Sequence, residues 1–461
     1  MLISIKKITM IVVAITLFMD VMDSNILNTA APVMAASFHV NPVDLKVAMI
    51  SYLLSFAIFI PTSGWFSDKF GTKRIFIGAL TLFTLSSFFC GFATTLPEIV
   101  FARFIQGIGG AFMISLGRLM IARVFQRNEL VEAMNAVIMV VSIGVMIGPY
   151  IGGVIVDNWS WSWIFWVNLP VGIVLITLSA LFLKDTAEKN STPFDFIGFI
   201  LFGGGLALLC FSLSEVSESN GNTKAALLKL LIAITTLLLY VIYALRKRHP
   251  LIQLPLFKIR TFSISVFGNL LARLGFGGIP FLLPLMQQTS FGFSAQLSGL
   301  LLMPISFGII FAKIITLKLL RKMGYRNYLI GNTLCVGIIL YAFQLITRDS
   351  SLLFISIMTF VFGTFIAMQY TAMNSLAFSD ITDEKLSAST SITSTVQILG
   401  QTLGVATGAI FLRLFSTNLS LTPAAFHKTF VGLSVLTFLS VIIFMQLKSD
   451  DGLAMIIKNK N

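Results

Sequence analysis

Asp20 and Asp23 stand three residues apart in LFMDVMDSNILN, residues 17–28, inside the first long apolar run of the chain. On a helix that spacing turns both carboxylates to one face. One Asp at the centre of a membrane helix costs about 2.5–3.5 kcal/mol on insertion scales. Proton exchange is the chemistry that repays such a cost, because a carboxylate in an apolar cavity trades a proton against a neighbouring cation. Arg103 is the partner the spacing selects. It falls about one and a half turns into its own run, Asp23 lies about two to three turns from the same surface, and an Arg side chain covers the difference. Gln106 follows one turn later on the same face. Arg273 lies mid-run in the second half of the chain, at the repeat position of Asp20. Two acids this close titrate as a coupled pair.

The elements that position these groups are membrane helices. The chain has 461 residues, 56% hydrophobic and 11% charged, with mean hydropathy +0.92; soluble domains carry about 25% charged residues. Roughly fourteen apolar runs of about 20 residues follow one another. They are too long and too continuous for barrel strands. The net charge of +13 belongs to the loops: Lys69, Lys73, Arg74, Arg123, Arg127, Lys184, Lys189, Arg246, Lys247 and Arg248 fall on one side, while Lys46, Lys224, Lys229, Arg348 and Lys428 are thinly spread over the other. This asymmetry puts both termini in the cytoplasm and WSWSWIFW, residues 159–166, at the outer surface as an aromatic belt. No basic stripe stands apart from the apolar runs, which excludes nucleic acid as a partner.

Enzyme chemistry finds no footing. Cys90, Cys210 and Cys335 sit in apolar runs without metal-ligand spacing. His39, His249 and His427 fall in predicted loops, which leaves no intramembrane haem or metal ligand. No P-loop is present to use ATP. No metal or cofactor is expected, and the energy source is a proton gradient. The N-terminal run continues through both aspartates to Pro32, too long and too polar for a signal peptide.

The chain also repeats itself. SDKFGTKR at 67–74 aligns with LRKMGYRN at 320–327; Gly144, Gly148 and Gly152 recur as Gly400, Gly404 and Gly408; Pro32 meets Pro284. The offsets agree at about 252 to 256 residues, as a parallel internal duplication requires. The expected organisation is a six-helix bundle at 1–190, two inserted helices with a cytoplasmic linker at 191–260, a second six-helix bundle at 261–447 and a cytoplasmic tail at 448–461.

Four stretches in order, MDSNILNTAAP (22–32), GWFSDKFGTKR (64–74), RFIQGIGGA (103–111) and GVMIGPYIGG (144–153), resemble the major facilitator superfamily, specifically its fourteen-span drug:proton antiporter family. WSWIFWVNLP, FDFIG and HPLIQLPLF look like further marks of it. The resemblance implies an all-α fold of two six-helix bundles plus two inserted helices. It implies that Gly64, Asp68, Gly71, Lys73 and Arg74 form a cytoplasmic gating loop, which in the family latches the halves in one state. Arg321 replaces Asp68 in the second copy, so the latch is one-sided. The spacing of Gly144, Gly148, Pro149, Gly152 and Gly153 makes a flat face for close helix packing, and the resemblance implies that they form the stripe that in the family marks exporters.

The function expected is proton-coupled antiport that exports amphipathic small molecules across the inner membrane by alternating access. Asp23 lies in the family-like stretch and is expected to be the obligatory proton carrier. Asp20, outside it, is expected to be a helper that raises the proton affinity of Asp23 or attracts cationic substrates. The alternative is uptake of a defined metabolite by the same fold. A membrane enzyme lacks a nucleophile–base constellation, and a channel is usually built from repeated subunits. The partners are a small-molecule substrate, protons and the lipid bilayer; a periplasmic adaptor protein is compatible with export but not deducible.

Overall fold

The computed structural model describes residues 5–185, 193–216, 218, 223–416 and 420–456. Lys189, the expected boundary at 190/191 and the last residues of the tail lie outside them. Among the described residues every regular element is helical. Thirteen helices among the described residues are long and apolar enough to cross a membrane, and one of them, Ala295–Leu345, has 51 residues. At 1.5 Å per residue it would run about 77 Å, more than twice a hydrocarbon core of about 30 Å. It breaks at Gly324, where φ is 71° and ψ 165°. The two arms are separate spans, and the expected fourteen are present.

One compact unit comprises Met1–Phe199 with Ser294–Gly299. Its helices are α1 (Ile5–Ser37), α2 (Lys46–Phe59), α3 (Ser63–Phe70), α4 (Thr72–Phe92), α5 (Leu96–Val124), α6 (Arg127–Asn158), α7 (Trp163–Trp166) and α8 (Asn168–Phe182). The α3–α4 turn is made at Gly71, φ 92°, a left-handed conformation that only glycine adopts freely. α5 starts with Pro97 in its first turn and a capping box between Thr95 and Glu98. α1 runs along α6 and also touches α5 and α8, so its polar residues meet partners from three helices. Lys6 and Glu129 join the starts of α1 and α6 at 2.7 Å. Lys46, expected in an outer loop, is fully buried at the start of α2, 3.6 Å from Asp44.

The other unit comprises Ile200–Phe293 and Leu300–Asn461. It holds most of α9 (Phe196–Val216), then α10 (Thr223–Arg246), α11 (Arg260–Phe276), α12 (Ile279–Thr289), most of α13 (Ala295–Ala342), α14 (Leu352–Ala377), α15 (Leu386–Phe415), α16 (Pro423–Phe444) and the short α17 (Leu453–Ile456). α11 packs on α14, α15 and α16. The inserted pair does not stand apart from this unit. Tyr240 and Ala244 of α10 share a buried cluster with Phe262, Val266, Ala377 and Ile392, and the Tyr240 hydroxyl accepts the Ile252 N–H at 2.9 Å. His427 lies inside α16, not in a loop, and its Nε2 meets the Ile346 carbonyl at 2.9 Å. The repeat-related glycines Gly71 and Gly324 both have positive φ, so the duplication preserved a backbone conformation as well as a residue type.

Candidate functional site

Asp23 on α1 and Arg103 on α5 form an ion pair through Arg103 Nη1 and Asp23 Oδ2, both side chains 1% exposed. The same nitrogen donates to Gln106 Oε1 at 2.7 Å. Gln106 Nε2 donates to Asp23 Oδ1 at 3.1 Å and to Ser87 Oγ at 2.8 Å. Asn168 Nδ2, at the start of α8, donates to Asp23 Oδ1 at 2.7 Å. The guanidinium lies 4.0 Å over the Tyr52 ring and 5.7 Å from that of Phe165, a cation–π arrangement in a site without water-facing surface. Asp23 thus accepts three donors, one of them charged, which compensates the burial of its carboxylate.

Asp20, one turn earlier on α1, has different company. It is 2% exposed, and its hydrogen-bond partner is the Tyr52 hydroxyl, which donates to Oδ1 at 2.6 Å. The charged groups acting on it are Asp23 and Arg103, but no cation touches it among the described residues. Space for its carboxylate comes from Gly110, where a Cβ would stand 2.5 Å from Asp20 Oδ1. Gly107 and Gly109 do the same for α2 and α4: their Cβ atoms would meet Tyr52 O at 2.5 Å and Ala79 O at 2.7 Å. The three glycines of RFIQGIGGA open three faces of α5 at once.

The stripe on α6 is laid against α1. A Cβ on Gly144 would stand 3.1 Å from Phe18, on Gly148 3.2 Å from Asn25 Cβ and 3.3 Å from Met22 O, and on Gly152 2.8 Å from Thr29 Oγ1. Thr29 Oγ1 donates to the Pro149 carbonyl at 3.0 Å. Gly153 faces the start of α13, where a Cβ would overlap the Ala295 carbonyl; Asp157 caps that start by accepting the Gln296 N–H at 2.7 Å. Gly148→Leu is therefore expected to displace α1 beside Asp23, at about 1–3 kcal/mol of overpacking. Transport should be lost while membrane expression stays near wild type. Wild-type transport by this variant, measured against its level in isolated membranes, would remove the stripe from the mechanism.

In the 64–74 segment Asp68 lies 3.7 Å from Arg123, Arg74 lies 3.6 Å from Asp185, and Lys73 Nζ donates to the Ala180 carbonyl at 2.8 Å, a cation at the C-terminal end of α8. A Cβ on Gly71 would run into the Asp185 carboxylate. Gly64, also expected in the gating loop, is exposed, and nothing lies within 4 Å of where its Cβ would stand.

Arg273 lies in the other unit, 6% exposed. Its Nε donates to Asn269 Oδ1 at 2.7 Å, and its guanidinium lies 4.0 Å over the Tyr370 ring. The structure brings together Asp23, Arg103 and Gln106, as the sequence predicts, and adds Tyr52, Ser87 and Asn168, which the sequence does not single out. Asn168 sits within WSWIFWVNLP, and a phenol and an amide in apolar runs are the signals that point to Tyr52 and Asn168.

The sequence profile of the Major Facilitator Superfamily matches residues 13–405. A protein of Pectobacterium atrosepticum that carries the name multidrug resistance protein MdtD is 36% identical over 445 residues, 95% of each chain. A protein of Haemophilus influenzae named transport protein HsrA is 35% identical over 444 residues, 96% of each. Among solved structures, a variant of the nucleoside transporter NupG superposes with a TM-score of 0.69 at 12% identity, covering 96% of this chain and 99% of the other. A D-xylose–proton symporter also gives 0.69 at 14% identity, covering 97% and 99%. At these identities the solved structures show a shared fold.

Proposed function

This chain belongs to the Major Facilitator Superfamily, and from that premise we propose that it is a proton-coupled antiporter exporting amphipathic small molecules across the bacterial inner membrane by alternating access. That it is a multi-pass membrane transporter follows from family and fold; the proton, the direction and the substrate breadth are the proposal. The observation that carries it is the unequal pair on α1. Asp23 is held by Arg103, Gln106 and Asn168, whereas Asp20 has one neutral donor, Tyr52. A proton can join or leave Asp20 without breaking an ion pair, and Asp23 cannot do the same. Asp20 is the better proton carrier in this arrangement, and Asp23 with Arg103 is the fixed charge pair beside it. The sequence alone favoured the opposite assignment.

Export is supported by the relatives named for multidrug resistance and by the stripe on α6. One proton crossing about 100 mV releases about 2.3 kcal/mol, which sustains roughly a fifty-fold gradient of a neutral solute. Inverted membrane vesicles with an imposed pH gradient test the reading. Fluorescent amphipaths of positive, neutral and negative charge should accumulate inside, release protons as they do, and leave when an uncoupler is added. Accumulation that is indifferent to the uncoupler, or solute movement in the reverse direction, would replace this reading with facilitation or with uptake by the same fold.

A further inference from the structure

Both units stack a buried guanidinium on a tyrosine ring at 4.0 Å, Arg103 on Tyr52 and Arg273 on Tyr370. Arg103 has its carboxylate in Asp23. Arg273 has none: among the described residues no acidic side chain acts on it, and Tyr370 is the one ionisable group that does. Its Nε is fixed by Asn269, but among the described residues neither terminal nitrogen has a hydrogen-bond partner, and neither is fully enclosed. A guanidinium more than nine-tenths buried with four of its five N–H donors idle is costly unless something anionic completes it.

We propose that Arg273 is a binding site for the carboxylate of a transported substrate, with Asn269 and Tyr370 as its positioning residues. The fork of Arg273 offers two parallel N–H donors, the geometry a carboxylate takes up bidentately. Asn269, four residues earlier on α11, orients the fork through Nε. The half-buried ring of Tyr370 covers one face of the cation. Gly400 on α15 gives the arm its room, since a Cβ there would stand 3.0 Å from Arg273 Cβ and Cδ. A lipid headgroup carries the same anionic oxygens, but Arg273 is thirteen residues into α11 from Arg260, about 20 Å along the axis, which is deep in the hydrocarbon. The substrate class is then an amphipathic carboxylate, apolar over most of its surface. This deepens the transport reading above and rests on it for the word substrate.

The test is thermal unfolding of the purified full-length protein with ω-phenylalkanoates of increasing chain length and their isosteric amides and amines. At least one carboxylate should stabilise the wild type with about tenfold or greater preference over its amide. Arg273→Gln should erase that preference. Asn269→Asp, which places an internal carboxylate at the fork, should raise the ligand-free melting temperature and also erase it, so a reading survives if Arg273→Gln fails to fold. The proposal is overturned if no carboxylate outperforms its amide, if the preference survives either variant, or if it vanishes on moving from neutral to anionic lipid bilayers, which would make the site a headgroup site. Binding is read without a proton gradient. A protein that moved no protons would still pass, and a proton antiporter that preferred amides or amines would fail.

Discussion

Asp23→Asn is expected to lower the stability of the protein by about 3–5 kcal/mol, the cost of removing one partner from a buried ion pair. The amide can still accept from Asn168 or Gln106, but Arg103 keeps its charge in a site walled by Tyr52 and Phe165, and Asp20, the other carboxylate nearby, makes no ion pair with it among the described residues. Transport is lost together with the fold. Removing both charges should restore most of the stability, because the penalty is that of the orphaned partner and not the worth of the pair. Purified Asp23→Asn, Arg103→Gln and the double variant, compared by thermal or denaturant unfolding, form the cycle. An Asp23→Asn protein as stable as wild type, yet uncoupled, would make Asp23 the carrier and return Asp20 to the role of helper.

Asp20→Asn is expected to leave the fold intact and abolish coupling. The Tyr52 hydroxyl can donate to an amide oxygen as it does to the carboxylate, and no cation is orphaned. Without a titratable group at this position, substrate movement no longer draws on the proton gradient, and steady-state accumulation in inverted vesicles should fall from roughly fifty-fold toward unity. Downhill exchange of substrate should continue. Accumulation at the wild-type level in this variant would take Asp20 out of the proton path.

The spans were legible because length and apolarity alone define them. The depth of Asp23 and Arg103 was legible too, since rise per residue converts position into height. Rotation was not. In helices apolar all round, such as α2 and α8, hydropathy does not say which face turns inward. So Tyr52 and Asn168, whose faces decide what the aspartates touch, could not be assigned. The same limit hid Gly64: its spacing fits a packing glycine, but the face it occupies on α3 is open. Arg273 was visible as a charge in an apolar run, whereas its lack of a counter-charge required knowing what α14 and α15 bring to it.

The break at Gly324 bears on how the protein is made. Two spans meet there with a single non-helical residue between them, flanked by the exposed Arg321, Lys322 and Arg326, so the turn has almost no slack and the two arms are expected to enter the bilayer as a pair. A β-branched residue at 324 would resist φ 71°, and its damage would fall on biogenesis: a shortage of correctly threaded chains at the membrane, with those that do arrive working at the ordinary rate.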